Sequence, residues 1–205
     1  MSEVVDLSPG KREQTKFANR QAILEAARAV FGEMGFEAAT VRDIIRRTNL
    51  SVGAFYNYYR SKEEVFDALA DDGARRFRPI LHAAAVEAKD FESYLRAAVS
   101  AYFTFVAAED SLVRERVIQE PLPHARNTPE ILAVFEEVRS AMGSAMERGL
   151  APKVDLDYLA SACIAVAREI GDKMMERRPV DVETATEFVV RLILGGVNAL
   201  PRTEP

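Results

Sequence analysis

Cysteine is almost absent from this chain. Cys163 is the only one in 205 residues, so no intramolecular disulfide can form. Histidine is nearly as scarce: only His82 and His124 occur, and they show no metal-ligand spacing with each other or with Cys163. No Gly-rich phosphate loop or nucleophile elbow is visible. The carboxylate pairs Asp71-Asp72 and Asp155-x-Asp157 are explained more simply as helix caps and solvated turns. Catalytic residues, metal ligands and cofactors are therefore expected to be none, which disfavours an enzyme. No apolar run approaches the ~20 residues that span a bilayer. The opening stretch MSEVVDLSPGKREQTK lacks the apolar core of a secretory signal. Together with the cysteine usage, this predicts a cytoplasmic protein without a membrane partner.

What is present is ordinary in amount and uneven in distribution. Hydrophobic residues make up 48% and charged residues 29%, the proportions of a globular protein with a real core. The net charge of −5 argues against a nucleic-acid partner only if it is spread evenly. It is not. Through Lys62 there are ten Lys/Arg against seven Asp/Glu, or +3; the remainder holds seventeen against twenty-five, or −8. A mildly basic head on an acidic body is the balance expected of a DNA-binding module joined to a domain with another task.

Periodicity predicts an all-α fold of about nine helices: a three-helix N-terminal helix-turn-helix domain and a larger helical domain. Residues 1–14, polar and broken by Pro9-Gly10, read as a flexible arm. From about Lys16 to Met34, Ile23, Ala27, Val30, Phe31 and Met34 recur at steps of three and four, with Gly35 as the C-cap. Thr40 and Asp43 open a second helix as a capping-box-like pair. Asn49-Leu50 makes the turn, where Asn is suited to a left-handed corner. Ser51 caps a short third helix, and Ser61 with Glu64 starts the fourth. Further helices are expected over Phe91–Ala108, Ser111–Gln119, Pro129–Arg148, Asp155–Arg177 and Asp181–Leu200. The domain boundaries follow as 1–14, 15–61 and 62–205.

The third helix has the properties of a duplex reader, being short and exposed with its entry fixed by phosphate contacts. Gly53 lets the backbone approach a phosphate at a helix N-terminus, where the dipole favours an anion. Tyr56, Asn57 and Tyr58 are consecutive and cover too much arc to be buried together. Tyrosine offers a hydroxyl to phosphate, and Asn57 has the donor–acceptor pair that matches adenine. Arg42 is placed for guanine or backbone, and Thr40 and Lys62 stand at helix starts as phosphate ligands. Phe55 and Tyr59, four apart, are expected to close the core of the head. Arg46-Arg47 fits a solvated face as well as a reading one, and Tyr58 fits a cover over the fourth helix as well as a contact.

The segment resembles the N-terminal domain of the TetR family of transcriptional regulators. That family's pattern is matched in register by Gly35-Phe36, Thr40, Ile44, Ser51, Gly53, Phe55-Tyr56, Tyr58-Tyr59 and Lys62-Glu63, over roughly residues 16–70. Departures are Ile45 and Thr48 where alanine is common, Asn49-Leu50 where Gly-Val is common, and Tyr58 where histidine is common. The last puts the contact usually made by that histidine in question. The resemblance implies a homodimer that binds double-stranded DNA at a palindromic operator, most often as a repressor released by a small-molecule effector. Matched to the motif, the implied DNA-facing positions are Thr40, Arg42, Val52, Gly53, Ala54, Tyr56, Asn57, Tyr58 and Lys62. The alternative from another class is a helical protein-interaction adaptor without specific DNA binding.

The body supplies the candidates for the other two tasks. The last helix is apolar nearly all round, which predicts burial on two sides, one of them against a second copy. Its Val189, Leu192, Ile193 and Gly196, with Leu159, Cys163 and Ile170 of the helix before, are the expected dimer interface. A largely apolar effector of unknown identity is expected against Tyr102, Phe103, Phe105, Met142, Met146 and Cys163, with Arg116, His124 and Arg168 as polar anchors.

Overall fold

A computed structural model describes residues 10–109 and 128–202. Eight helices occur among these residues: α1 (Lys11–Met34), α2 (Val41–Arg46), α3 (Val52–Tyr56), α4 (Lys62–Glu87), α5 (Phe91–Glu109), α6 (Pro129–Glu147), α7 (Leu156–Glu176) and α8 (Val182–Ala199). No strand is found among them. The all-α expectation holds; the helix expected over residues 111–119 lies outside the described residues. None of the described helices is long and apolar enough to cross a membrane.

Most boundaries fall where the local chemistry puts them. Gly35 ends α1 at a φ of 78°, and Gly149, beyond α6, has a φ of 72°; both are left-handed positions that cost glycine least. Thr40 and Asp43 form the reciprocal capping box, while Ser51 and Asp155 accept from Ala54 N and Tyr158 N. Two details differ from expectation. Helix α1 begins at Lys11, so residues 11–14 belong to it rather than to an arm. The α2–α3 corner uses no left-handed residue, since no described non-glycine has a positive φ. Instead, the Thr48 hydroxyl donates to the Ile45 carbonyl at 2.9 Å and accepts from Leu50 N at 3.2 Å, a side-chain substitute for a backbone turn.

Two cores result. The head core joins Ile23, Ala27, Val30 and Phe31 of α1 to Ile44, Phe55 and Tyr59, and is closed by Val65 and Ala68 of α4. It therefore runs past residue 61 into the fourth helix. The body core gathers Phe91, Leu95, Val99 and Phe103 of α5, Met142 and Met146 of α6, Leu159, Cys163 and Met174 of α7, and Val189, Val190 and Ile193 of α8. Farther along α4, Phe77, Leu81 and Ala84 are buried as that helix packs against α5 and α6.

The α4–α6 contact also solves a capping problem. Thr128 precedes α6 but makes no side-chain cap. The carboxylate of Asp71, on α4, accepts from Glu130 N at 3.1 Å and satisfies that helix end from outside. Arg75 and Arg78 reach Glu130, each at 3.4 Å, and His82 Nδ1 lies 2.6 Å from Glu137. At the crossing of α5 and α7, a Cβ on Gly171 would stand 3.3 Å from the rings of both Tyr102 and Phe103. Phe103 is fully enclosed, so Phe103→Ala should destabilise the protein by about 3–5 kcal/mol. Urea unfolding of wild type and variant measures this difference.

Candidate nucleic-acid interface

Helix α3 is only five residues long, and its sequence VGAFY divides sharply between inside and outside. Phe55 is fully buried in the head core. Val52 and Tyr56, four apart on the other side, are 57% and 52% exposed. Gly53 and Asn57 repeat that spacing and are also exposed. The Tyr56 ring stands edge-on to Phe55, with centroids 5.6 Å apart, which fixes its direction from behind. Arg42 adds an exposed guanidinium from α2. Thr40 is exposed too, but its hydroxyl is held in the capping box, 2.5 Å from Asp43 Oδ2. Those hydrogen bonds hold the Asp43 carboxyl below its ordinary pKa. Ala54 is half-buried.

Tyr58 and Lys62 are engaged inside the head. The Tyr58 hydroxyl accepts from Asn19 Nδ2 at 3.0 Å, tying the end of the reading unit to α1. Arg20, next in α1, donates to the Tyr59 hydroxyl at 3.0 Å. Burial raises the Tyr59 pKa against the opposing influence of that arginine. The Lys62 ammonium donates to the carbonyls of Phe36 and Glu37 at 2.8 and 3.1 Å and lies 4.5 Å from the Phe36 ring centroid. It pins the α1–α2 connection. A lysine at a helix start signals a phosphate ligand in sequence, but only the fold shows the two carbonyls brought within its reach.

Among the described residues nothing packs against Gly53, a property it shares with the helical glycines Gly73, Gly195 and Gly196. Its φ is not positive, and a Cβ there would meet no atom within 4 Å. Glycine in a helix costs up to about 1 kcal/mol relative to alanine.

The body candidates separate into groups. Phe103, Met142, Met146 and Cys163 meet in one core, with Tyr102 packed against it. Phe105 turns to α4, with its ring centroid 5.4 Å from that of Phe77 and the Arg76 guanidinium 5.6 Å from its own centroid. Arg168 is half-buried on α7. Arg116 and His124 lie outside the described residues. Burial pushes the Cys163 thiol up to about 12, so it is not a reactive thiolate. The Tyr94 hydroxyl, not among the sequence candidates, is buried with no hydrogen-bond partner among the described residues. Burial raises its pKa well above the phenol range, with Cys163 and Glu137 adding to the effect.

Among the interface candidates, Leu159, Cys163, Val189 and Ile193 are buried in the protomer's own core and cannot form an outward face. Ile170 is half-buried against that core. Leu192 and Gly196 do face outward. The exposed apolar face runs through Tyr158, Ala162 and Ala165 of α7 and Phe188, Leu192 and Gly195 of α8. Neighbouring residues on a helix differ by about 100°, so a rotation of one position exchanges the inner stripe for the outer.

An all-helical chain with a three-helix head, its turn capped at Thr40 and Ser51 and its short third helix open outward, is a helix-turn-helix protein. The family model for bacterial regulatory proteins of the tetR family matches residues 23–69. Over those residues the chain is similar to that family. Among its relatives, the HTH-type transcriptional repressor AcnR of Corynebacterium glutamicum is 43% identical over 63 residues, 31% of this chain and 34% of that protein. The chain thus matches about a third of that relative's length. A TetR-family regulator structure from Syntrophomonas wolfei superimposes with a TM-score of 0.71 at 19% identity, over 92% of this chain and all of the other. The transcriptional regulator FadR of Bacillus subtilis, in complex with stearoyl-CoA, gives a TM-score of 0.70 at 17% identity, over 86% of this chain and 98% of that one. These likenesses show that the fold is shared beyond the head.

Lys62→Ala should leave the Phe36 and Glu37 carbonyls without their donor and cost about 1 kcal/mol of stability. Denaturant melts, with amide exchange through residues 36–40, provide the check. Unchanged stability and exchange would mean that the ammonium does not hold this connection.

Proposed function

We propose that this protein is a ligand-responsive transcriptional repressor of the cytoplasm that binds a palindromic DNA operator as a homodimer. The observation that carries the reading is the outward face of the short α3, where Gly53, with open space at its Cβ position, stands with exposed Val52 and Tyr56. A duplex entered by α3 would use that space, because phosphate and backbone can then approach closely. Arg42, Tyr56 and Asn57 surround it with donors and a ring for base edges and sugar. Thr40 acts as a cap beside that surface, and Tyr58 and Lys62 set its shape. The match of residues 23–69 to the tetR-family model and the similarity to a named repressor support the same reading.

Dimerisation follows from the outward faces of α7 and α8. Phe188 and Leu192 are 56% and 50% exposed, and Tyr158 is 79% exposed; a second copy would remove them from water. Gly195, whose Cβ position is open, permits close approach of two helices. Two-fold symmetry would set paired α3 helices roughly 34–36 Å apart, one turn of duplex. The effector reading places a largely apolar small molecule among α5, α6 and α7, where Phe103, Met142 and Met146 provide apolar contact and the Tyr94 hydroxyl offers an unused hydrogen bond. That a neighbour in fold holds stearoyl-CoA supports an apolar ligand.

Gly53→Ala tests the reading head directly. It should stabilise the free protein by up to about 1 kcal/mol through helix propensity, yet weaken binding to a duplex selected from a randomised pool. Fluorescence anisotropy and a thermal melt separate the two effects; equal or tighter binding would defeat the proposed approach. Leu192→Glu should yield monomers in sedimentation and lose high-affinity binding to paired half-sites, while a surviving dimer would exclude this face.

A further inference from the structure

The first turns of α1 continue beyond anything they pack on. Residues 11–18 are all exposed, and the first buried residue of the helix is Ile23. At about 100° per residue, Ile23, Ala27 and Val30 share an arc of roughly 100° with Asn19, Arg20, Lys16 and Arg12. The face of α1 that lies on the head core is thus prolonged as a basic stripe. Between Lys11 and Leu24 stand four basic residues and one acidic residue, Glu13. Among the described residues, neither Arg12 nor Lys16 forms an ion pair with a carboxylate.

Its position is set by two hydrogen bonds already described. Asn19 donates to Tyr58 and Arg20 to Tyr59, so the stripe starts at the tyrosine end of the reading unit. Lys16 lies one turn farther out and Arg12 two turns, about 12 Å beyond Arg20 along the axis. A helix that outruns its core gains nothing from burial over these turns. The feature this one maintains is a row of cations beside the surface that α3 presents.

We propose that Arg12 and Lys16 grip the sugar–phosphate backbone of the same duplex, flanking the base pairs that α3 reads. This rests on the DNA-binding reading above and adds a second contact surface to it. Two cations without ion-pair partners, continuous with that surface, match a polyanion that passes it. Because backbone contacts carry no base information, the stripe should add affinity and salt dependence without altering sequence preference.

The test uses the full chain, a duplex recovered by wild type from a randomised pool, and the double variant R12A/K16A. Each lost phosphate contact should reduce the slope of log K against log salt by about 0.9, so the variant's slope should be shallower by close to two units. The recovered base preference should stay the same, and R12K/K16R should restore the slope. Circular dichroism melts confirm folding of these surface variants. An unchanged slope in the variant beside normal wild-type binding would overturn the α1 contact alone. A changed base preference would overturn its assignment to the backbone. Wild type that retains no duplex even at low salt would overturn both this inference and the reading of α3.

Discussion

The structure depends on one continuous helix serving two cores. Helix α4 closes the head with Val65 and Ala68 and is buried against the body through Phe77, Leu81 and Ala84. Pro79 lies between these last contacts and removes a backbone donor, yet the helix persists around it; packing outweighs propensity here. The polar groups along α4 add direction. Asp71 completes the N-terminus of α6, while Asp72 accepts from Arg28 of α1 and from Arg76. Exposed ion pairs of this kind contribute little each, so apolar packing sets the register of α4 and its charged neighbours select among orientations. Helix α4 thus joins the packing of α5 and α6 to the core of the head.

Within the head, the residues that build the surface are distinct from those that compose it. Lys62 pins the α1–α2 connection from below, Tyr58 and Tyr59 fasten the chain after α3 to α1, and the Thr40–Asp43 box sets the angle of α2. With these fixed, Arg42, Val52, Gly53, Tyr56 and Asn57 are left outward, the Tyr56 ring backed by Phe55. A side chain already held in place in this way loses less freedom on binding.

Much of this arrangement was legible in residue order. Thr40, Ser51 and Ser61 read as caps because a hydroxyl there has an orphan backbone N–H within reach by local geometry alone. Gly35 ends α1, and the alternation of Phe55 with Tyr56 across α3 follows from helical period. Residue order leaves open the partners that are distant in sequence. Lys62 finds its carbonyls 25 and 26 residues away, and the cap on α6 comes from Asp71, 59 residues before Glu130. No window of local spacing contains those pairs. Helix α8 is open for another reason: with Leu192 and Ile193 both apolar, composition does not say which faces the protomer.

The sequence by itself determined an all-helical chain, the turn of the helix-turn-helix, its caps and the outward residues of α3, since each depends on interactions within a few residues. Tertiary structure alone decided which stripe of α7 and α8 is left outward, that Lys62 builds the head from within, and that the first two turns of α1 are exposed beyond its contacts with Tyr58 and Tyr59. Those outcomes depend on which faces exclude water together, and that is settled only when the helices meet.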